Sequence, residues 1–417
     1  MSCNHEDKVY HKPHKNMIML RTPMVLDTFA GAGGFSLGFE QAGCKIIGAI
    51  EQDAWASETF ASNHPGAIAL QRDITTLSDD ELKHHFGRTP PDILIGGPPC
   101  QGYSVCVKGN GDPKDPRNSL FKEFIRIAKL FEPKIVVMEN VPNIEKAKTG
   151  SRDTVVSIIK NELKDCGYHV YSKILEATDF GIPQIRRRFI VIASRSPLLN
   201  PFPSPTHRWV LGNEQTNLFE HHLKPCPTLW EAISDLPQIG AGEGDETMDY
   251  IVPSENSYQT QLRDGSKKIF NHTAMRHGKA TVERFKAMAC GVPVSALPEH
   301  LQPRKRNSTE LADVIYDQNN RRMFPHRPCH TLAASFYANF VHPYCHRNFT
   351  PREGARIQSF PDIFVFKGKP TVVSQKLLAR EGRVGDLHLC QYNQIGNAVP
   401  PMMAKAIAEN LLTQIRG

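Results

Sequence analysis

The stretch Asp92-Ile-Leu-Ile-Gly96-Gly97-Pro98-Pro99-Cys100-Gln101-Gly102-Tyr103-Ser104 decides how the rest of the chain is read. Asp92 to Ile95 is an apolar run of strand type, and it ends in paired glycines followed by paired prolines. Proline fixes its own φ and pushes the preceding residue out of the helical region, so the chain must leave the strand in a sharp non-helical turn. The next residue is a cysteine. In open α/β sheets the loop beyond the carboxyl end of a strand is where ligands bind. A structural cysteine would sooner sit inside the strand, whereas a thiol displayed on a preorganised turn suits a nucleophile.

Working outward, further strand-like runs occur at Met24 to Leu26, Lys45 to Ile50, Ile135 to Met138 and Phe189 to Ala193. Between them Phe121 to Phe131 and Thr154 to Cys166 carry apolar residues at helical spacing. This alternation predicts an α/β fold built on a parallel sheet. After about Ser194 the texture changes. Pro197, Pro201, Pro203 and Pro205 cluster, and the chain to about Arg347 is turn-rich, basic and weakly periodic, as expected of a second, irregular domain. Met402 to Ile415 is again helical in pattern, with Pro400 and Pro401 at its start.

The first strand runs into Asp27-Thr-Phe29-Ala-Gly31-Ala-Gly33-Gly34-Phe35-Ser36, a glycine turn that lets backbone approach a ligand closely. The nicotinamide fingerprint G-x-G-x-x-G fails here, because its third glycine falls on Ser36. Glu51 closes the second strand, where an acidic side chain can hold ribose hydroxyls. Asp73 could accept from an adenine amino group, and the set points to an adenosine-containing cofactor. Glu139-Asn140-Val141 follows the strand Ile135 to Met138, so topology puts its carboxyl at the same sheet edge as Cys100. Gln184-Ile-Arg186-Arg187-Arg188 brings fixed positive charge to that edge.

Composition sets the outer limits. Among 417 residues, 40% are hydrophobic and 22% charged, ordinary values for a globular protein. The apolar runs are too short to cross a bilayer, and the polar segment Met1 to Arg21 is no signal peptide, so a cytoplasmic protein without a membrane partner is expected. The 10 cysteines form no C-x-x-C pair and suggest no disulfide scaffold. Cys329, His330, His342, Cys345 and His346 match no zinc spacing, and no metal is expected. The net charge of +7 only permits a polyanionic partner, but Lys267, Lys268, Arg276, Lys279, Arg304 and Arg321 among others concentrate it between Lys224 and Arg327.

Taken together, Asp27-Thr-Phe-Ala-Gly-Ala-Gly-Gly, Gly96-Gly-Pro-Pro-Cys-Gln-Gly-Tyr-Ser, Glu139-Asn-Val and Gln184-Ile-Arg-Arg-Arg resemble the ordered motifs of the DNA (cytosine-5)-methyltransferases of bacterial restriction-modification type. Asp115-Pro-Arg-Asn-Ser-Leu-Phe, Arg352-Glu-Gly-Ala-Arg-Ile-Gln-Ser-Phe-Pro-Asp and Gln394-Ile-Gly-Asn-Ala-Val-Pro-Pro extend the resemblance in family order to Pro401. It implies a Rossmann-like methyltransferase sheet that binds S-adenosyl-L-methionine, with the methionine end near Phe29, Gly31 and Gly33. Glu51 would hold the ribose and Asp73 the adenine; Asp27, Gln52, Ile74, Pro98, Asn397 and Val399 would complete the cofactor site. The implied domains are a tail over 1–22, a discontinuous catalytic domain over 23–195 plus 388–417, and a target-recognition domain over 196–387. The implied reaction flips a cytosine out of double-stranded DNA and adds Cys100 to its C6, with Glu139, Arg186 and Arg188 around the ring. Family habit adds a separate cognate restriction endonuclease and a monomeric enzyme. The competing readings are a transfer-RNA cytosine methyltransferase, which the long basic domain disfavours, and an inactive DNA-binding homologue, which the filled catalytic positions disfavour.

Overall fold

The computed structural model describes residues 21–99, 120–148, 153–209, 222–305, 308, 310–312, 317, 321–371, 375–382 and 388–415. Its centre is a seven-stranded sheet formed by β1 (Met24–Thr28), β2 (Lys45–Glu51), β3 (Ile68–Gln71), β4 (Ile93–Gly96), β5 (Ile135–Asn140), β6 (His169–Glu176) and β8 (Arg187–Ser194). The order is β3-β2-β1-β4-β5-β8-β6. β1 to β5 pair in parallel, while β8 runs antiparallel to both neighbours. The expectation of a parallel sheet is met except at β8. That run is apolar and buried, as an interior strand is, and such a pattern carries no information about direction.

Alternation along the strands divides the core into two layers. Val25, Ile93, Ile95, Ile135 and Val137 face the helix α1 (Gly34–Gln41) and the C-terminal helix Pro401–Ile415, packing against Phe39, Met403, Ile407 and Leu411. Leu26, Leu94, Val136 and Met138 face the other way, onto α3 (Asp79–Phe86), α4 (Leu120–Phe131) and α5 (Val155–Asp165) through Phe86, Phe124, Ile127 and Ile159. The C-terminal helix does return to the first half. Gly34 and Gly38 make the joint: a Cβ at Gly34 would lie 2.6 Å from the Val399 carbonyl, and one at Gly38 would lie 2.5 Å from the Pro401 carbonyl.

The described residues between 196 and 350 form short helices and two-residue to five-residue strands, including the antiparallel pair Gly244–Met248 with Ile269–Thr273. A third core holds this region together, running from Leu229 and Tyr258 to Phe349, Phe360 and Tyr392. Buried arginines stitch it: Arg347 takes Glu353 in a two-pronged pair at 2.8 and 2.8 Å, and Arg356 is held between Asp235 and Asp362. Contacts also cross the boundary expected near residue 387. Asn63, at the end of α2 (Ala54–Asn63), exchanges hydrogen bonds of 2.9 and 2.9 Å with the backbone of Val365. Strand β7 (Gln184–Ile185) pairs in parallel with Cys329–His330. Among the Cys/His residues weighed for a metal, His342 is buried and accepts from the backbone N–H groups of Tyr344 and Cys345 at 3.2 and 2.9 Å. Burial pushes its imidazole down to about 3, so the ring is neutral and serves as an acceptor for that turn.

Candidate active site

Two groups of residues meet at the carboxyl edge of the sheet. The first surrounds the glycine turn between β1 and α1. Phe29, Gly31 and Gly33 all have positive φ, at 57°, 54° and 94°. Glycine adopts this region freely, whereas Phe29 does so under strain, and such strain in a non-glycine residue gathers at ligand sites. Gly33 has a second constraint, since a Cβ there would sit 2.6 Å from Nε2 of His64. Glu51, at the end of β2, braces the turn: Oε2 accepts from Gly31 N at 2.8 Å and Oε1 from Asp53 N at 2.9 Å. Each oxygen keeps a further lone pair for a hydroxyl donor. Burial raises the Glu51 carboxyl above its ordinary value, against the lowering effect of those backbone donors.

Asp27 lies just behind the turn and is enclosed. Ser36 Oγ donates to its Oδ2 at 2.7 Å, while Oδ1 has no partner. Burial lifts this carboxyl to about 7, with Glu51 adding to the effect and Ser36 opposing it. An enclosed acid with one unmet oxygen is a place where a cationic ligand gains most. Around the crevice Gln52, Asp73 and Asn397 are exposed, Phe29 and Gly31 half-buried, and Ile74, Pro98 and Val399 buried. A strained concave backbone, an acid behind it, a braced carboxylate at β2 and an open acceptor at Asp73 fit an adenosine bearing a cationic amino-acid tail. On that fit these residues could hold S-adenosylmethionine.

The second group lies one strand further along. Glu139, near the end of β5, is paired with Ile190 of β8 and buried, and Arg188 Nε meets its Oε1 at 2.6 Å. Both side chains are 11% exposed, so this ion pair sits at a nearly dry edge with one carboxylate oxygen left over. That oxygen faces the strand end of β4, where a Cβ on Gly97 would be 3.3 Å from Glu139 Oε2. Asn140 donates through Nδ2 to the Pro98 carbonyl at 2.8 Å, tying the Pro-Pro turn to β5. Cys100 itself lies outside the described residues; Pro99, its neighbour, ends the segment that Asn140 pins.

Arg186 sits elsewhere than sequence reasoning put it. It is fully buried and donates to the carbonyls of Leu332, Gly396 and Ala398, each at 3.0 Å. Through Nη1 and Nη2 its guanidinium holds backbone from the second region and from the C-terminal segment, while Nε is buried without a partner among the described residues. Arg188, two positions on, is the one beside Glu139. Sequence reasoning missed Asn140 and Gln184, whose amide bridges Leu332 N at 2.9 Å and Gln358 Oε1 at 2.7 Å. Their position inside the motif strings was the available signal.

The sheet, the adenosine-type crevice and the carboxylate–guanidinium pair beside the Pro98-Pro99 segment define a methyltransferase. The family model for C-5 cytosine-specific DNA methylase matches residues 24–413, and the chain belongs to this family as a DNA cytosine-5 methyltransferase. The type II methyltransferase M.DdeI of Desulfomicrobium norvegicum is 47% identical over 93% of this chain and 88% of its own length. M1.HphI of Haemophilus parahaemolyticus is 34% identical over 95% of this chain and 89% of its own. A solved prophage-encoded putative DNA modification methyltransferase from E. coli superposes with a TM-score of 0.68 at 25% identity, covering 95% of this chain and 100% of that one. Methyltransferases of this family and fold imply S-adenosylmethionine as cofactor. No helix among the described residues is long and apolar enough to cross a membrane.

Proposed function

We propose that the protein methylates C5 of a specific cytosine in double-stranded DNA after extruding the base, and protects that site from a cognate restriction endonuclease. C5 of cytosine is a weak nucleophile. The Cys100 thiolate forms a bond to C6, which makes C5 enamine-like. Bound S-adenosylmethionine supplies an electrophilic methyl group. With the methyl group taken up at C5 as its bond to the sulfonium breaks and a neutral thioether leaves, C5 would lose its proton to a base or to water, and the C6–S bond would break to return the thiolate. Glu139 meets N3 and the exocyclic amine and offsets charge as the ring is attacked, while Arg188 holds the carboxylate in place and faces the ring's other polar edge. Asp27 would hold the cofactor's ammonium, Glu51 its ribose hydroxyls and Asp73 its adenine amino group. Extrusion costs a few kcal/mol, and the basic second domain offsets this through phosphate contacts.

The observation that carries this reading is the Glu139–Arg188 pair, nearly dry and aimed past Gly97 beside the turn that Asn140 ties down. The test is expression in a methylation-free host, followed by bisulfite sequencing of its DNA. A single sequence context with protected cytosines is expected, and Glu139→Gln should remove the protection. DNA without modified cytosines from a host making folded wild-type protein would overturn the proposal.

A further inference from the structure

Two adjacent arginines in the second region meet opposite fates. Arg322 is buried, and its guanidinium is consumed by the carbonyls of Met288, His342, Pro343, Cys345 and Phe285. Arg321 precedes it on the same two-residue strand, so its side chain leaves from the opposite face. There it makes one long hydrogen bond, 3.3 Å to the Asp317 carbonyl, and its Nε is enclosed without a partner among the described residues. A half-buried guanidinium with most donors unspent is costly to a protein that uses it for nothing.

Its position links it to the active site. Arg321 pairs in register with Phe340, and the Phe340 ring lies 6.3 Å from that of the exposed His330. His330 pairs in register with Ile185 of β7, three residues before Arg188. Arg321 is close enough to His330 that its charge, behind the larger effect of burial, lowers the imidazole's pKa. Arg186 and Gln184 clamp the neighbouring Leu332 through its carbonyl and N–H. Strand pairing and one ring contact thus link Arg321, through Phe340 and His330, to Ile185, which the chain joins to Arg188 and its partner Glu139. A base extruded toward Glu139 and Arg188 would bring its neighbouring base pairs toward this linked segment.

We propose that Arg321 is a specificity-determining residue, whose guanidinium takes the O6 and N7 edge of a guanine neighbouring the target cytosine. The strand fixes where the side chain starts and leaves its planar fork free to present paired donors, as two-pronged reading of guanine requires, whereas a point charge would suffice for a phosphate. This assignment rests on the DNA methylation proposed above.

The experiment treats a duplex pool, randomised around a central cytosine, with purified full-length protein and S-adenosylmethionine, and reads modified molecules by bisulfite sequencing. Wild type should reveal its preferred sequence, with a guanine required at one position near the target. Arg321→Ala should relax that one position by about 10- to 100-fold and leave the others unchanged. Arg321→Lys, which keeps charge and stem but lacks the fork, should relax the same position. S-adenosylhomocysteine binding, followed by calorimetry, should be unchanged in both variants. Variants that keep the wild-type sequence preference, or lose activity evenly over all sequences as a phosphate contact would, overturn the assignment. If wild type modifies no cytosine in the pool, the underlying methylation proposal fails instead.

Discussion

Replacing Asp27 by asparagine should make the cofactor-free protein more stable at alkaline pH while weakening its hold on the cofactor. Asp27 is enclosed, accepts one hydrogen bond from Ser36, and leaves Oδ1 unmet. Burial raises its pKa from 3.8 to about 7. The folded protein therefore retains a proton that the unfolded chain releases above about pH 4. A group with more protons bound in the native state makes stability fall as pH rises, here from about pH 4 through 7, with the full loss in place above that. Three pH units at about 1.4 kcal/mol each set an upper bound of about 4 kcal/mol. Asparagine still offers Ser36 an oxygen and carries no charge. The stability difference between variant and wild type should thus grow in the variant's favour by about 2–3 kcal/mol between pH 5 and pH 8.5. Urea denaturation of both cofactor-free proteins at the two pH values measures it. Calorimetry should also find S-adenosylmethionine bound about 10-fold or more weakly by the variant, as loss of a charged hydrogen bond implies. A stability difference that does not change with pH would refute the reasoning.

Other substitutions probe the assembly. Gly38→Ala puts a methyl group against Ala404 and the Pro401 carbonyl, and overpacking of about 1–3 kcal/mol should outweigh alanine's helix preference of about 1 kcal/mol, lowering Tm. Arg186→Met strands three buried carbonyls and should cost about 3 kcal/mol or more in chemical denaturation; unchanged stability with lost turnover would instead make Arg186 a substrate contact. Affinity for duplex DNA should fall steeply between 50 and 200 mM salt, on the order of 10³-fold if about six phosphates are engaged; a flat response in a filter-binding titration would remove phosphate contact from the second region.

The sheet's interior was legible because β1, β2, β4, β5 and β8 are buried on both faces and read as continuous apolar runs. Ile68–Gln71 and His169–Glu176 were not, and they are the two edges of the sheet. Their burial is partial and their composition mixed, so no period stands out. Topology put Glu51 and Glu139 at the ligand edge because each closes a legible strand. Within Arg186-Arg187-Arg188 the first and third arginines could not be told apart locally: Arg188 finds Glu139 of β5, while Arg186 finds carbonyls contributed by residues 332, 396 and 398, whose approach no local pattern encodes. For the same reason no local pattern shows that Arg347, Arg352 and Arg356 are fully buried, against Glu353, Asp362 and Asp235.

The covalent step proposed for the reaction is open to one direct measurement. A duplex carrying 5-fluorocytosine at the target position cannot release a proton from C5, so the enzyme should remain joined to it after methyl transfer. Denaturing electrophoresis and peptide mass spectrometry should find wild-type protein linked to DNA through Cys100, with no linked species for Cys100→Ala. An adduct that forms through another residue, or persists in Cys100→Ala, would contradict the account.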